Sequence, residues 1–440
     1  HTRSDRDWSS DVCSSDLKQS MSETVIPREA VMPRGLHQAY WFAVFNGLSF
    51  QIILNSPMVL YGKSLGASAT VLGIISGMMP LLVIFQIPAA HYVARVGYKR
   101  FGYAGCGTRV LFIFGMAMVP LTACFLNPAS RLALLLLLLF GFNLSRGISS
   151  AGWLPWITSL VPAPVRGAYL ARDAACMNVA SFITFVLAAW VLGNHPGPWQ
   201  FAALFAFSAA MGAVSLQFLK RIPEADAPEA EARSSNTPVP WLAMMRYQPF
   251  LQLIIMVVAW SIAYGGLTTF TVAFLKTKAG MSEATILLVT SISFLGGWSS
   301  LWFMGSRLDK LGSKPVLAFS FVTWILLVLG WGLWAGGLVT APGYGFMLGL
   351  QLLMGLFASL VQMSNTRLAM TIVPAMGRNH FFAMYSVIGS LALGLSPILW
   401  GLLLDAIGPR QFRWLGLEWN RYTIFFAAVA VAFLAALGLA

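Results

Sequence analysis

The apolar run at 132–161 contains one charged residue, Arg146, near its middle. Asn143, Ser150 and Trp153 lie three, four and seven residues away, and helical periodicity places all four side chains on one face. A charge inside an apolar segment is costly, so such a residue is expected to have a binding partner. A guanidinium binds carboxylates through paired donors, so this stripe predicts contact with an organic anion. The alternative is a structural arginine that bonds to backbone carbonyls or joins helices.

Two further arginines fall inside apolar runs. Arg109 lies about eight residues inside the third run, from which its flexible side chain can reach the lipid headgroups. Arg367 lies near the end of the tenth run, close to Gln362 and Asn365. A gating role and simple anchoring at the interface are both open for Arg367.

Neutral polar and aromatic residues form further stripes at helical spacing. Polar residues in membrane helices usually join helices by hydrogen bonds, and that interpretation stays open for each one. The alternative is that they line a solute cavity together. The residues predicted to contact a solute are Arg146, Asn143, Gln51, Asn55, Trp260, Tyr264 and Gln362.

The acidic residues indicate how transport would be coupled. Beyond the amino-terminal segment and the polar linker, the five carboxylates all fall in loops or at predicted helix ends, so we expect weak or absent proton coupling through an embedded acid. Asp173 and His91 are the nearest substitutes. The five carboxylates are Asp173, Glu283, Asp309, Asp405 and Glu418.

Enzyme and metal motifs are absent from the sequence. The four cysteines form no CxxC pair and no cluster with histidine, and neither HExxH, GxSxG nor a Walker loop occurs. We therefore predict no metal site, no cofactor and no enzymatic activity.

Membrane-spanning helices would have to position these residues. Of 440 residues, 58% are hydrophobic and 10% charged, whereas soluble domains carry roughly 25% charged residues. Spans need about 20 apolar residues each. The twelve predicted spans lie at about 37–61, 68–93, 101–125, 131–160, 168–192, 199–219, 248–274, 283–306, 315–336, 344–372, 380–404 and 421–440.

The chain divides into predicted segments around a polar linker rich in Pro, Ala and Glu. The first twenty residues precede Met21 and resemble translated adapter or vector sequence, so we expect them to be non-native. The predicted segments are this prefix at 1–20, a tail at 21–36, a first six-helix bundle at 37–219, the linker at 220–247 and a second six-helix bundle at 248–440.

The distribution of basic residues predicts the orientation. Counted from Lys18 onward and outside the apolar runs, sixteen Lys and Arg residues fall on the side of the amino terminus and seven on the other side. The positive-inside rule then places both termini and the linker in the cytoplasm of a plasma (inner) membrane protein. The net charge of +13 therefore reports topology, and we expect a lipid bilayer and a small solute as partners, with no nucleic acid and a monomeric state.

The two halves repeat each other in sequence. ARVGYKR at 94–100 corresponds to DKLGSKP at 309–315, at an offset of 215, and VPAPVRGAYLA at 161–171 corresponds to VPAMGRNHFFA at 373–383, at an offset of 212. Both pairs follow an even-numbered helix of a six-helix unit. The repeat is therefore parallel, with an axis along the membrane normal.

GSRLDKLGSKP at 305–315 resembles the loop signature of the major facilitator superfamily, Gly-x-x-x-Asp-Arg/Lys-x-Gly-x-Arg/Lys, and 94–100 is similar to its first-half copy. SPILWGLLLDAIG at 396–408 resembles the ending of that family's eleventh helix. The resemblance implies two six-helix bundles, with helices 1, 4, 7 and 10 around a central cavity and helices 3, 6, 9 and 12 peripheral. It also implies alternating access without ATP.

The same resemblance implies which residues control conformation. In the first-half copy Ala94 replaces the signature acid, which in the family helps to lock one conformation, so this lock is expected to be weaker or supplied differently. The fifth predicted helix also lacks the Gly-Pro-rich motif of drug/proton antiporters, which argues against a multidrug exporter. The predicted conformational residues are Arg95, Gly97, Asp309, Lys310, Gly312, Lys314 and Asp173.

The predicted protein is thus an all-α, polytopic carrier of a small solute, with Arg146 favouring an organic anion. Two alternatives stay open. One is a membrane sensor or scaffold that has a transporter fold and binds a ligand without flux. The other is a lipid or lysolipid flippase, which would need an opening between helices toward the bilayer.

Overall fold

The computed structural model describes residues 35–161, 163–224, 241–304, 311–340, 342–372 and 378–439. Within these residues, twelve helices are long and apolar enough to cross a membrane. This confirms the predicted helix count and fold class. The side on which the first helix begins is called the amino-terminal side below, and the other is called the opposite side.

The first six spanning helices follow one another through short connections, and their bounds agree with the predicted runs to within a few residues. They are α1, His37–Leu54 continued by Ser56–Ser64; α2, Ala69–Leu82 continued by the 3-10 turn Val83–Phe85 and by Gln86–Val96; α3, Tyr98–Met118 continued by the 3-10 turn Val119–Cys124; α4, Pro128–Leu160; α5, Ala163–Leu192; and α6, Pro198–Arg221.

The second six helices follow a short helix, Trp241–Arg246. They are α7, Gln248–Tyr264 continued by Leu267–Thr277; α8, Glu283–Met304; α9, Ser313–Ala335; α10, Tyr344–Ile372; α11, Arg378–Ile407; and α12, Arg421–Leu439.

A small β-hairpin joins α11 to α12 on the opposite side. Strands β1, Phe412–Trp414, and β2, Leu417–Trp419, pair antiparallel. The turn residues Leu415 and Gly416 both have positive φ, of 54° and 77°. The predicted elements do not include this hairpin, because each strand is only three residues long.

Local sequence fixes several helix starts. The Ser68 side chain accepts a hydrogen bond of 3.3 Å from the Val71 N–H at the start of α2. The Asn127 side chain likewise accepts one of 2.8 Å from the Ser130 N–H, and Pro128 occupies the first turn of α4. These contacts satisfy backbone donors that have no partner within the helix, and proline at the first turn loses no hydrogen bond.

The predicted repeat is visible in the backbone. Gly97 has φ 88° and ψ 147°, and Gly312, at the corresponding position in the second half, has φ 80° and ψ 154°. Each residue immediately precedes a helix, α3 or α9. A Cβ atom disfavours positive φ, so both copies of the motif need glycine here. Asp309 and Lys310 of the predicted signature lie outside the described residues.

Helices of each half pack mainly on one another. α1 packs on α5 and α6, and α3 packs on α4 and α6; in the second half, α8 and α9 pack on α10, and α7 packs on α11 and α12. The largest contacts between the halves join α2 to α11 and α5 to α8, and the second segments of α1 and α7 also meet. These pairs decide which side of the central region is closed.

Candidate transport cavity and arginine pocket

α1 and α7 are both interrupted at corresponding points. Asn55 is extended, with φ −127° and ψ −156°, and separates the two segments of α1. Gly265 and Gly266 separate the two segments of α7. Broken helices of this kind expose backbone groups within a membrane only where protein or a cavity surrounds them. The sequence carried a signal for both breaks, in Pro57 after Asn55 and in the Gly-Gly pair.

α11 satisfies the backbone at the break in α7. The Ile262 carbonyl accepts hydrogen bonds of 2.7 Å from both Ser396 Oγ and Trp400 Nε1. A Cβ at Gly265 would come within 2.8 Å of the Ser396 side chain, and one at Gly266 within 2.9 Å of Trp400. The glycine pair therefore allows α11 to lie directly against the break.

A central cavity of about 570 Å³ lies between the two halves. Its walls come from α5, α7, α8, α10 and α11, mostly from the parts nearer the amino-terminal side. None of the described residues that line it is charged. The polar and aromatic residues among them are Asn178, Trp260, Ser261, Tyr264, Ser359, Gln362, Asn365, Tyr385, Ser386 and Ser390.

Trp260 and Tyr264 form an aromatic platform in this cavity, as their spacing predicts. Their rings stack with centroids 4.9 Å apart and planes 11° apart. Trp260 also packs on Trp324 and Phe433, each with centroids 5.7 Å away, so the surrounding core holds the platform in place. Such a face suits a planar or ring-shaped part of a solute.

The central cavity continues into a second space of about 220 Å³ nearer the opposite side. The two share Asn178, Tyr264, Ala358 and Ser359. Asn55, one of the predicted solute contacts, lines this extension.

The other predicted residue on α1, Gln51, is buried and accepts a hydrogen bond from the Asn55 amide. Gln51 therefore orients Asn55. On α10, Gln362 lines the central cavity itself.

Glycines close the opposite side by bringing α2 and α11 into backbone contact. A Cβ at Gly73 would collide with the Pro397 carbonyl oxygen, and a Cβ at Gly77 with that of Gly394. A Cβ added at Gly401 of α11 would meet the backbone of Ala69. Small residues of this kind allow close helix packing inside membranes.

Hydrogen bonds reinforce this closure. Asp405, in the last turn of α11, accepts bonds from the Ala69 N–H at 3.0 Å and from the N–H and hydroxyl of Thr70 at 2.8 and 2.7 Å. An acid of one half therefore caps the amino-terminal end of α2 in the other half. Ser76 of α2 and Thr269 of α7 are hydrogen-bonded at 2.6 Å.

A separate pocket of about 240 Å³ lies within the first half, where α1, α3, α4, α5 and α6 line it. Arg109 and Arg146 both line it, so we call it the arginine pocket. Asp173 of α5 and Asn46 of α1 also line it. The remaining wall consists mainly of small and apolar residues and includes the aromatic rings of Phe42, Phe50, Trp153 and Trp156.

The charged groups of this pocket are poorly partnered within the described part of the chain. Arg146 makes no side-chain hydrogen bond or ion pair there, and Arg109 Nη2 donates to Cys106 Sγ at 2.5 Å. Asp173 Oδ1 is buried without a hydrogen-bond partner. Polar groups inside native proteins nearly always have partners, so the Arg146 guanidinium, which lines the pocket without one, points to a ligand or solvent there.

The structure places Arg146 in this pocket rather than among the residues that line the central cavity. The rotation of α4 explains this, because a Cβ at Gly147 would collide with the Leu82 backbone, and that close contact fixes the face turned toward α2. Ser150 and Trp153 share the pocket as predicted. Asn143 is buried instead and donates to the Leu139 carbonyl at 3.0 Å.

Two expectations from the sequence need correction. Arg109 lines the arginine pocket rather than extending toward the headgroups, because α3 turns this face toward α1 and α4. Asp173 does not lie at a helix end. α5 begins at Ala163, earlier than predicted, so Asp173 sits inside the helix with part of its carboxylate buried.

The remaining predicted conformational residues lie on the amino-terminal side. Arg95 is exposed in the last turn of α2, Gly97 precedes α3, and Gly312 and Lys314 mark the start of α9.

Other groups were not singled out by the sequence. Asn178 and Tyr385 line the central cavity, and the only signal for them is a polar residue within an apolar run. Among the residues with described structure, no group of three His, Cys, Asp or Glu side chains is arranged to hold a metal ion.

A family model described as Major Facilitator Superfamily matches residues 39–300 and 269–440 in two overlapping stretches. The chain belongs to the Major Facilitator Superfamily. This confirms the resemblance carried by the loop signature at 305–315 and its first-half copy. Members of this superfamily are secondary transporters of small solutes that work by alternating access, which agrees with the twelve helices and the cavity. No curated protein matches the chain in sequence.

Solved structures of this superfamily share the fold. A D-xylose-proton symporter superposes with a TM-score of 0.68 at 14% identity, covering 92% of this chain and 97% of the other. A point mutant of the nucleoside transporter NupG gives 0.67 at 15% identity, covering 91% and 98%. The xylose transporter XylE from E. coli, in an inward open conformation, gives 0.67 at 14%, covering 91% and 95%.

Proposed function

We propose that this superfamily member carries a small, uncharged polar solute through the central cavity, using alternating access and no ATP. The observation that supports this most directly is the cavity lining, in which the Trp260–Tyr264 stack adjoins amides and hydroxyls without any charged side chain. An aromatic face with hydrogen-bonding groups beside it suits a ring that carries hydroxyl groups. Sugars and nucleosides, which give the structural neighbours their names, are solutes of this class.

We also propose that the amino-terminal side faces the cytoplasm of an inner membrane. The sixteen basic residues on that side, against seven on the other, support this orientation. With the opposite side closed between α2 and α11, the solute would then reach the cavity from the cytoplasm. The domain division at 37–219, 220–247 and 248–440 and the monomeric state are parts of the same proposal.

A ligand screen by thermal unfolding of the detergent-purified chain tests the substrate class. A solute at 100 times its dissociation constant should stabilise the protein by about 2.7 kcal/mol. Neutral sugars and nucleosides are expected to stabilise the parent, and Trp260→Ala or Gln362→Ala should remove that effect. Trp190→Ala is the matched control, because the Trp190 side chain is 83% exposed and lies outside the cavity lining.

Flux of the stabilising compound into liposomes then tests transport itself. The central-cavity proposal is wrong if the compound still stabilises both cavity variants as it does the parent. Binding without flux would support a sensor or scaffold instead. Flux of a labelled lysolipid with no response to small solutes would support a flippase.

An organic anion remains the second candidate for the transported solute, as the sequence predicts. The observation that favours it is Arg146, whose guanidinium lines a pocket without an ion-pair partner among the described residues. If an anion is the cargo, its liposome flux should fall in Arg146→Gln. Unchanged anion flux in that variant, or none in the parent, would rule this candidate out.

A further inference from the structure

The arginine pocket and the central cavity lie against different faces of α5. Asp173 and Met177 line the arginine pocket, whereas Ala174 and Asn178 line the central cavity. Residues one position apart on a helix point in clearly different directions. α5 is therefore a wall shared by two chemically different spaces, one charged and one neutral.

The charges of the arginine pocket do not cancel. Two guanidiniums and one carboxylate line it, and within the described chain no ion pair joins Asp173 to either arginine. Arg109 and Arg146 are half-buried. A charge held in a partly enclosed, mainly apolar pocket without a counter-ion is unfavourable, and a bound ion of opposite sign reduces that cost. The excess is positive, so the missing ion is an anion.

The walls indicate what kind of anion fits. Asn46 adds an amide to the lining, and the aromatic rings of Phe42, Phe50 and Trp153 contribute part of the remaining, mainly apolar surface. A carboxylate matches the paired donors of a guanidinium, and an apolar or aromatic body matches the rings. Asp173 repels a second negative charge, so a monoanion suits this pocket better than a dianion.

We propose that the arginine pocket is a binding site for a small organic monocarboxylate, separate from the central cavity. Arg146 and Arg109 hold the carboxylate, the aromatic wall packs on the body of the ligand, and Asp173 limits the charge that the pocket accepts. The site does not depend on which solute crosses the membrane.

Thermal unfolding of the full chain in detergent tests this site with benzoate, acetate and sulfate, at an ionic strength kept constant with sodium chloride. Benzoate is expected to raise the unfolding midpoint of the parent most, acetate less and sulfate least. Arg146→Gln and Arg109→Gln should each raise the half-saturating benzoate concentration at least about tenfold. Arg413→Gln is the charge-matched control, because Arg413 is exposed in the β-hairpin and should leave the response unchanged.

Three further variants keep the result interpretable. If Arg146→Gln does not fold, Arg146→Lys, which retains the charge but not the paired donors, should fold and bind benzoate more weakly. Asp173→Asn should bind benzoate more tightly than the parent does. In this variant, the stabilisation by sulfate should also approach the stabilisation by benzoate. Gln362→Ala should respond to benzoate as the parent does.

The possible failures are distinguishable. The arginine-pocket site would be overturned if the parent responds to no carboxylate, or if Arg413→Gln loses as much of the benzoate response as Arg146→Gln does. Either result would leave the proposed carrier function intact. A benzoate response lost in Gln362→Ala but kept in Arg146→Gln would place the anion in the central cavity and would also overturn it. If neutral solutes do not stabilise the parent while benzoate does, the result counts against the proposed function and not against this site.

Discussion

The same two helices, α2 and α11, behave differently at their two ends. On the opposite side they meet backbone to backbone through Gly73, Gly77 and Gly394, and Asp405 caps the start of α2. Toward the amino-terminal side, α11 instead contributes Tyr385 to the wall of the central cavity. One end is thus sealed by shape and the other is available to solute, which is the asymmetry that alternating access requires.

The two ends would also be sealed by different forces. Close glycine contacts gain dispersion energy from many atoms and are hardly affected by salt. The loops on the amino-terminal side carry the family's charged signature, in which Ala94 replaces the first-half acid. A weaker charged seal there would favour the state seen here, with the opposite side closed. Cysteine labelling from each side of the membrane measures how tightly each end is sealed, and the same assay applies to every variant.

The assay uses a chain whose four cysteines are replaced by serine. Ser56→Cys reports on the opposite side, because Ser56 is buried beneath that closure and lines the extension of the central cavity. A membrane-impermeant maleimide reaches it only from that side in right-side-out vesicles. Ser386→Cys, which lines the central cavity, reports on the amino-terminal side in inside-out vesicles.

Gly77→Leu should have the largest effect. A side chain here collides with the Gly394 carbonyl, a backbone atom that cannot move away without separating α2 from α11. We expect Ser56→Cys labelling to rise about tenfold or more, which corresponds to about 1.4 kcal/mol or more.

Gly107→Leu is the matched control for Gly77→Leu, since nothing lies within 4 Å of a Cβ added at Gly107. It should leave labelling unchanged. Equal labelling in the two leucine variants would show that backbone contact between α2 and α11 does not seal the opposite side.

Asp405→Asn should open the same side less. The asparagine keeps one acceptor for Ala69 or Thr70 but loses the negative charge at the positive end of α2. That charge is worth about 1 kcal/mol at an exposed helix end, so labelling of Ser56→Cys should rise about fivefold. The rise should shrink at high salt, because the site is exposed.

Glu418→Gln removes an acid on the same side that pairs with Lys278 at 2.6 Å rather than with α2. It should not change the labelling rate. If Glu418→Gln matches Asp405→Asn, the effect comes from net charge and not from capping of α2.

The sequence predicts the positions of the helices well and the directions of their side chains poorly, and the reason is physical. A bilayer demands about 20 apolar residues per span, so composition alone locates the twelve helices. The direction of Arg146 depends instead on the contact of Gly147 with the backbone of another helix, which no local pattern records. Likewise, Asp405 meets Thr70 across 335 residues, so its capping role becomes visible only in the folded chain.

Helical spacing is informative where two residues of one helix contact each other directly. Trp260 and Tyr264 stack within α7, and their spacing is enough to predict it. The prediction that Arg109 reaches the headgroups is wrong for the converse reason, because the pocket that Arg109 lines is formed with other helices.

Ala94→Asp should strengthen the seal on the amino-terminal side. It restores the acid that the family signature carries at this position, among the basic residues Arg95, Lys99 and Arg100. Exposed charge pairs contribute up to about 1 kcal/mol, so Ser386→Cys labelling should slow about threefold. Ala94→Asn, which has nearly the same shape without the charge, should label at the parent rate, and equal slowing in both variants would contradict an electrostatic seal.

Ser76→Ala should have the smallest effect. Ser76 and Thr269 are hydrogen-bonded at 2.6 Å between α2 and α7, and the alanine leaves the Thr269 hydroxyl without this partner while the opposite side is closed. Opening lets water bond to that hydroxyl, so the closed state loses about 0.5 kcal/mol relative to the open one and Ser56→Cys labelling rises about twofold. Adding Thr269→Val removes the stranded hydroxyl, so the double variant should label closer to the parent than Ser76→Ala does. A double variant that labels faster than Ser76→Ala would instead mean that the Thr269 hydroxyl stabilises the closed state through a contact other than its bond to Ser76, and the stranded-hydroxyl explanation would be wrong.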